Sequence, residues 1–462
     1  MNAEAAAATP APLQQPGTER TFLGHPVGLA YIVFTEAWER FSFYGMQALL
    51  VLYMAGYLLH PGAIENVVGF GGFRAAVEAV FGPLSIQALA TQVFGLYIGL
   101  IYFMPVFGGL AGDRWLGQRR AVTLGAVLMA VGHFLMAFEA AFLFALSALI
   151  LGAGLLKGNL AAQVGRLYDH SDQRRDAAFT LYSMAINVGA FVAPLICGTL
   201  GELYGWHYGF GAAGIGMMIG IAIYLAGRRH LPPDELVRQR ADAPRLQKGD
   251  GVVILALLLL FFVAALYWTA QSQVWNSYPL WIRDRVDREI LGLLVPITWF
   301  QALDSLAVLV LAPFVIWFWR RQSRAGAEPG DLTKIIIGCS VFAAACFWLS
   351  LGEGVTGSKA VGLFWPAVFH FICAIGFLYV GPIMLAIVSR AAPLSVNAMM
   401  VGAYYLSIFA GGMASGWLGR FYQPLSPAAF WALHGLIVAG GAVVTIAFRR
   451  PLVRILRLGG RD

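Results

Sequence analysis

Along this chain, long apolar runs alternate with short polar loops. A helix needs about 20 apolar residues to cross the hydrocarbon of a bilayer. Twelve runs reach that length, at about 27–59, 86–112, 119–138, 141–168, 174–200, 208–227, 250–281, 292–319, 332–352, 361–390, 394–419 and 428–448. Several exceed the minimum, so tilt or extension beyond the bilayer is expected. The polar, proline-containing stretch LPPDELVRQRADAPRLQKGDG (Leu231–Gly251) interrupts the pattern once, after the sixth run. The pattern predicts an all-α membrane protein with bundles of six helices over 26–230 and 250–450. A linker over 231–249 joins them, and tails over 1–25 and 451–462 flank them. Six plus six around a central linker is the layout of two bundles that rock about a midplane site.

Composition agrees, because only 12% of the 462 residues are charged and 59% are hydrophobic. A soluble domain carries roughly a quarter charged residues. The net charge of +7 is spread over loops and builds no nucleic-acid surface. One set of loops holds Arg114, Arg119, Arg120, Arg166, Arg174, Arg175, the linker cations, Arg320, Arg321, Arg324 and the tail arginines from Arg449 to Arg457. The opposite set has mainly Arg74, a mixed patch from Arg283 to Glu289, Lys359 and Arg420. Lys and Arg concentrate in cytoplasmic loops, so both termini are expected in the cytoplasm. The first 20 or so residues are rich in Ala, Pro and Gln without an apolar h-region, which reads as a disordered tail and not a signal peptide. Cys197, Cys339, Cys346 and Cys373 all lie in apolar runs without a CxxC pair and read as core residues.

The first span breaks its own pattern with TEAWERFSFYG, Thr35 to Gly45. An intramembrane charge costs roughly 2.5–3.5 kcal/mol even on a mild insertion scale. Glu36, Glu39 and Arg40, with Lys157 in the middle of the fourth span, should therefore face one another or a wet cavity. Glu36 and Arg40 are four apart and share a helix face, and Glu39 lies about 60° away. Two acids and two bases can be mutually neutral. Such a cluster is also a proton device, since burial favours a protonated carboxyl and a nearby cation favours the ionised one. If Arg40 or Lys157 turns to an acidic cargo, an abandoned glutamate takes a proton. Arg40 offers a planar fork for a carboxylate and Lys157 a mobile point charge. No nucleotide loop, HExxH, GxSxG or metal-ligand cluster is present, which argues against an enzyme.

GGLAGDRWLGQRR, Gly108 to Arg120, resembles the loop of the major facilitator superfamily between its second and third spans, with Gly109, Asp113, Arg114, Gly117, Arg119 and Arg120 in the motif. Gly109 and Gly112 read as sites of close helix approach, Asp113 as a cap or partner of a helix end, and the arginines as anchors to the inner face. Glu36-x-x-Glu39-Arg40-Phe41 resembles the signature of the proton-dependent oligopeptide transporters. Further blocks follow in order: GLLKGNLAAQVGRLY with Lys157 and Asn159, FTLYSMAINVGAFVAPLICG with Asn187, GWHYGF, ALYWTAQSQ, ITWFQALD, FHFICAIGFLYVGP and AMMVGAYYLS. The resemblance implies a major facilitator fold of twelve transmembrane helices. The linker has no room for the two extra helices common in bacterial members. It further implies proton sites at Glu36 and Glu39, a cargo carboxylate on Arg40 and Lys157, and contacts from Asn187 and Tyr44, whereas Phe43 replaces a second pocket tyrosine. Protons are then the coupling ion, with no cofactor or metal. The expected partners are a small peptide or peptide-like substrate, protons and the lipid bilayer, for a monomer in the bacterial inner membrane.

Three departures change the expectation. Gln47 and Ser272 stand where family members carry a charge pair that gates the outer side, so that gate should close through weaker polar contacts with less pH dependence. Phe377 stands where the family has the glutamate that holds a peptide's amino end. Asp304 replaces a pocket Asn in the eighth span and is read as the substitute negative pole. Tyr404 stands where the family often has Trp. Trp268, Trp275, Trp299, Tyr404 and Tyr405 read as pocket walls or as packing; His133 and His370 read as core residues, with His370 also a candidate to line the cavity. The leading reading is proton-coupled import of di- and tripeptides. Its alternatives are the same machinery with another carboxylate-bearing cargo, or a ligand sensor without transport.

Overall fold

The computed structural model describes residues 21–169, 172–234, 236 and 246–458. The first 20 residues of the expected tail, much of the linker and the last four residues lie outside it. Each of the twelve expected runs is helical, and ten are long and apolar enough to cross a membrane. The first half holds α1 (Val27–Tyr53), α2 (Phe70–Phe81), α3 (Ile86–Phe103), α4 (Pro105–Ala111), α5 (Gln118–Leu135), α6 (Phe142–Arg166), α7 (Arg174–Ala193), α8 (Thr199–Leu203) and α9 (Trp206–Gly227). The second holds α10 (Asp250–Gln271), α11 (Ser277–Arg285), α12 (Ile297–Arg324), α13 (Asp331–Thr356), α14 (Phe364–Ala391), α15 (Asn397–Leu418), α16 (Pro427–Ala447) and α17 (Arg449–Leu456). The runs outside the ten correspond to α5, which opens on Arg119 and Arg120, and α15.

Local chemistry explains the breaks. Pro105 opens α4 and Pro194 opens a wide turn after α7, each where a missing N–H interrupts the helical ladder. The run at 250–281 divides at Ser272–Val274, and Asn276 there is fully buried. Residues 21–25 of the expected tail are structured: β1 (Thr21–Phe22) pairs with β2 (His25–Pro26), and His25 Nδ1 meets Tyr168 OH at 2.8 Å. A second two-residue pair, β3 (Glu289–Ile290) with β4 (Leu293–Leu294), lies before α12.

In the first half α1 packs on α7 and α9, and α5 on α6 and α9. In the second, α13 packs on α14 and α16, and α10 on α15 and α16. The halves meet along α3–α15 and α7–α12. Small residues make the first seam possible, as is usual between membrane helices. A Cβ on Gly95 would lie 2.6 Å from the Gly412 carbonyl oxygen and 2.7 Å from the Gly416 Cα.

The loop before α5 departs from its expected roles. Gly108 and Gly112, not Gly109, sit at close helix approaches, and the open space around Gly109 would accept a Cβ. Among the described residues Asp113 meets only Gln118, at 3.4 Å, while Asp234 from the linker accepts the Arg119 amide at 2.7 Å and so caps α5. Gly117, with φ +81°, lets the chain turn there beside Asp234. Arg119 donates to the Leu231 carbonyl, whereas Arg114 and Arg120 are exposed. The motif ties the start of the linker to the first half.

Candidate functional site

Helical spacing brings Glu36 and Arg40 together on α1. Arg40 Nε donates to Glu36 Oε1 at 2.7 Å and lies 2.8 Å from Glu39 Oε2. Both glutamates are fully buried. The single Nε–H points at Glu36, so Glu39 has charge contact with Arg40 but no hydrogen bond. Tyr182 of α7 completes Glu36, donating to its Oε2 at 2.7 Å. Sequence reading missed Tyr182; the available signal was a phenol deep in an apolar span, five residues before Asn187.

Lys157 does not complete the cluster as an ion-pair partner. Its Nζ is buried with no hydrogen-bond partner among the described residues. It sits 3.9 Å above the ring centre of Phe43 and 4.7 Å from that of Tyr102. Two aromatic faces hold this cation, an interaction worth roughly 0.5–2 kcal/mol. Phe43 therefore has a task that a lost hydroxyl does not remove. The result is one cation clamped by two carboxylates and a neighbouring cation that, among the described residues, makes no ion pair.

Tyr44 marks the seam between the halves. Its ring lies 5.0 Å from that of Trp275, and it is within electrostatic reach of Arg40 on one side and Asp304 on the other. Tyr405 of α15 is 39% exposed and within electrostatic reach of Arg40. Tyr404 is turned inward, 3% exposed, against Phe261 and Tyr405. Asn187 spends its amide on the Ser183 carbonyl one turn back, at 3.0 Å, and makes no described bond to the cluster.

In the second half, Asp304 Oδ2 is 3.5 Å from Gln271 Nε2, and Oδ1 is 3.6 Å from His370 Nδ1. His370 Nε2 meets Tyr278 OH at 2.8 Å. Phe377 packs edge-on to Trp268, with 6.4 Å between ring centres.

Gln47 and Ser272 are both buried and share no hydrogen bond, so they form no gate contact here. Closure of the rim opposite the linker passes to other residues. Glu202 of α8 accepts the Ile297 amide, the Thr298 amide and the Thr298 hydroxyl, each at 2.8 Å, and caps α12 across the interface. Trp299 donates to Thr199 at 2.8 Å, Gln87 to the Gly419 carbonyl at 2.9 Å, and Arg420 to the Phe81 carbonyl at 2.8 Å.

A two-bundle helical membrane protein with a buried Glu–Glu–Arg cluster beside a buried lysine is a transporter architecture. The family model described as PTR2, POT family, matches residues 119–240 and 247–424, and the chain belongs to the POT family. It is 30% identical to the peptide transporter YePEPT of Yersinia enterocolitica over 87% of this chain and 88% of that one. It is 26% identical to a di-/tripeptide transporter of Lactococcus lactis subsp. cremoris over 95% of this chain and 98% of that one. A crystal structure of the peptide transporter POT in complex with sulfate superposes with a TM-score of 0.83 at 26% identity, covering 95% of this chain and 97% of that one.

Proposed function

We propose that this transporter imports di- and tripeptides by alternating access, driven by protons. The carrying observation is the inequality between its two buried cations. Among the described residues Lys157 has no hydrogen bond or ion pair and sits over two rings, so a cargo carboxylate would be its first directly bonded anion. Arg40 is close enough to be drawn after it, since Phe43 lies under both cations. Each step of Arg40 toward the cargo weakens its hold on the carboxylates. Glu39, already without a hydrogen bond, then takes a proton, whereas Glu36 keeps Tyr182. Cargo and proton are thereby bound together, and a neutralised site is cheaper to re-expose on the other face. The names of the relatives, peptide and di-/tripeptide transporters, support the cargo class.

On this reading the protein is a monomer in the bacterial inner membrane with its linker and termini in the cytoplasm. The Glu202 rim is then the outer one. A second cargo class, carboxylates without a free amine, is favoured by one observation: Phe377 stands at the position of the family's amine-binding acid. Asp304 is the counter-argument.

The test is a substrate screen in proteoliposomes with an imposed pH gradient, comparing the native chain with Glu36→Gln and Lys157→Ala. Gradient-driven uptake of dipeptides that both substitutions abolish supports the proposal. Dipeptide binding without flux, also absent in counterflow, refutes it in favour of a sensor.

A further inference from the structure

A cavity of about 680 Å³ opens on the linker face of the second half. The end of the linker, the start of α10, the end of α14 and the last turn of α17 line it. Its charged residues are Lys248, Arg390, Arg454 and Arg457 against Asp250 and Asp331. Both acids are already engaged. Asp331 accepts from Arg390 Nη2, and Asp250 Oδ2 accepts the Gln247 amide at 2.8 Å. The side chains of Lys248, Arg454 and Arg457 are exposed and, among the described residues, make no hydrogen bond or ion pair. The cavity therefore carries a surplus of positive charge.

The fold gathers these cations in one place. α17 packs on α10 and α16 and buries Leu452 and Leu456, which leaves Arg454 outward. The Leu458 amide closes α17 on the Val453 carbonyl at 3.1 Å, with Arg457 in the left-handed region at φ +52°. Both arginines thus reach the same cavity as Lys248 from the linker. The cavity also has an apolar wall, from Val252 and Val253 of α10 and Ile455 and Leu456 of α17. Val252 begins a stripe along α10 as well: Val252, Leu255, Leu258 and Phe262 are all exposed and share one helix face. From Val252 to Phe262 the helix rises about 15 Å. That is the depth of one leaflet in a hydrocarbon core about 30 Å thick.

We propose that this cavity seats the headgroup phosphate of an anionic phospholipid, with an acyl chain lying along the α10 stripe. The phosphodiester supplies an anion for Lys248, Arg454 and Arg457. Arginine forks match its paired oxygens, and basic pockets between membrane helices suit such headgroups. A soluble phosphate ester offers the same anion but has nothing to lay along Val252 to Phe262. A bound lipid would join the end of the linker, α14 and α17 in one cluster. The site shares no residue with the Glu36–Glu39–Arg40 cluster, so it stands or falls separately from the transport reading.

The experiment is native mass spectrometry of the purified full-length protein in a neutral detergent, titrated with phosphatidylglycerol or with phosphatidylcholine of the same acyl chains. The dissociation constant of the first bound lipid is the readout. Phosphatidylglycerol should bind about 20-fold more tightly than phosphatidylcholine. Arg454→Gln with Arg457→Gln should remove that preference, at roughly fivefold for each cation lost. Lys248→Gln, on the linker side of the cavity, should lower it about fivefold by itself. Arg320→Gln with Arg324→Gln removes two exposed arginines at the end of α12 and should leave the preference intact. Glycerophosphate should bind at least about 100-fold more weakly than the lipid, because it buries no methylenes. No preference in the native chain overturns the proposal. An equal loss in the α12 double variant also overturns it, since the attraction is then spread over the whole face. Glycerophosphate binding as tightly as phosphatidylglycerol overturns the lipid assignment and makes the cavity a site for a soluble phosphate ester.

Discussion

Removing the Glu202 carboxylate should release the rim that holds the two halves together. One side chain of the first half accepts three hydrogen bonds at 2.8 Å from the second, two from backbone amides that begin α12 and one from Thr298 Oγ1. No residue beside α12 in sequence caps it, since the preceding Pro296 has no side-chain acceptor. Hydrogen bonds to charged groups contribute about 1.5–3 kcal/mol each. Burying a carboxylate costs several kcal/mol in return, so the sum overstates the effect. Measured losses of helix caps, about 0.5–2 kcal/mol, set the net scale. Glu202→Ala should therefore destabilise the closed rim by about 2 kcal/mol, a shift of roughly 30-fold toward opening when 1.4 kcal/mol is tenfold. Gly198→Ala tests the same contact by bulk, because a Cβ there would lie 2.0 Å from Thr298 Oγ1. The assay is a distance distribution between spin labels at Tyr204→Cys and Leu291→Cys, 68% and 99% exposed on opposite sides of the rim. The four native cysteines are buried and should label poorly. Both substitutions should add a longer-distance population. Distributions identical to that of the unsubstituted rim would refute the reasoning.

Other predictions concern the cluster and the loops. Phe43→Leu removes the nearer ring under Lys157 and should cost about 1 kcal/mol of cation–π stabilisation in the cargo-free protein, read as a lower midpoint in thermal unfolding. Tyr182→Phe leaves a buried carboxylate oxygen of Glu36 without a donor and should cost about 1–3 kcal/mol of stability, read as a lower midpoint in thermal unfolding. Asp304→Asn should reduce uptake of dipeptides while sparing their des-amino analogues; equal uptake of both, with unchanged pH dependence, would remove Asp304 from the site. Asp234→Ala should lower stability by about 1 kcal/mol through loss of the α5 cap without changing cargo affinity.

The twelve runs were legible because membrane thickness fixes a minimum apolar length, a one-dimensional constraint. The helix α2 was not, since its 12 residues fall short of a span and its faces are settled by neighbours. The Glu36–Arg40 pair followed from helical spacing alone. The seat of Lys157 did not, because Phe43 and Tyr102 reach it from two other helices, and an aromatic ring in an apolar run carries no mark of such a task. Asp304 announced itself as an acid in a span, whereas its neighbour His370 read mainly as a core residue. The loss of charge at Gln47 and Ser272 was visible, but its counterpart was not: Glu202 lies at the polar end of a span, where an acid is unremarkable until α12 is brought against it.

The central claim is that cargo binding and proton uptake are linked through the Glu36–Glu39–Arg40 cluster. It is tested most directly by comparing two fluxes of one dipeptide in the same proteoliposomes: accumulation against its gradient under an imposed pH difference, and counterflow exchange without one. Replacing both glutamates, Glu36→Gln with Glu39→Gln, should abolish accumulation and retain exchange. Accumulation at the native level in that double variant would contradict the account.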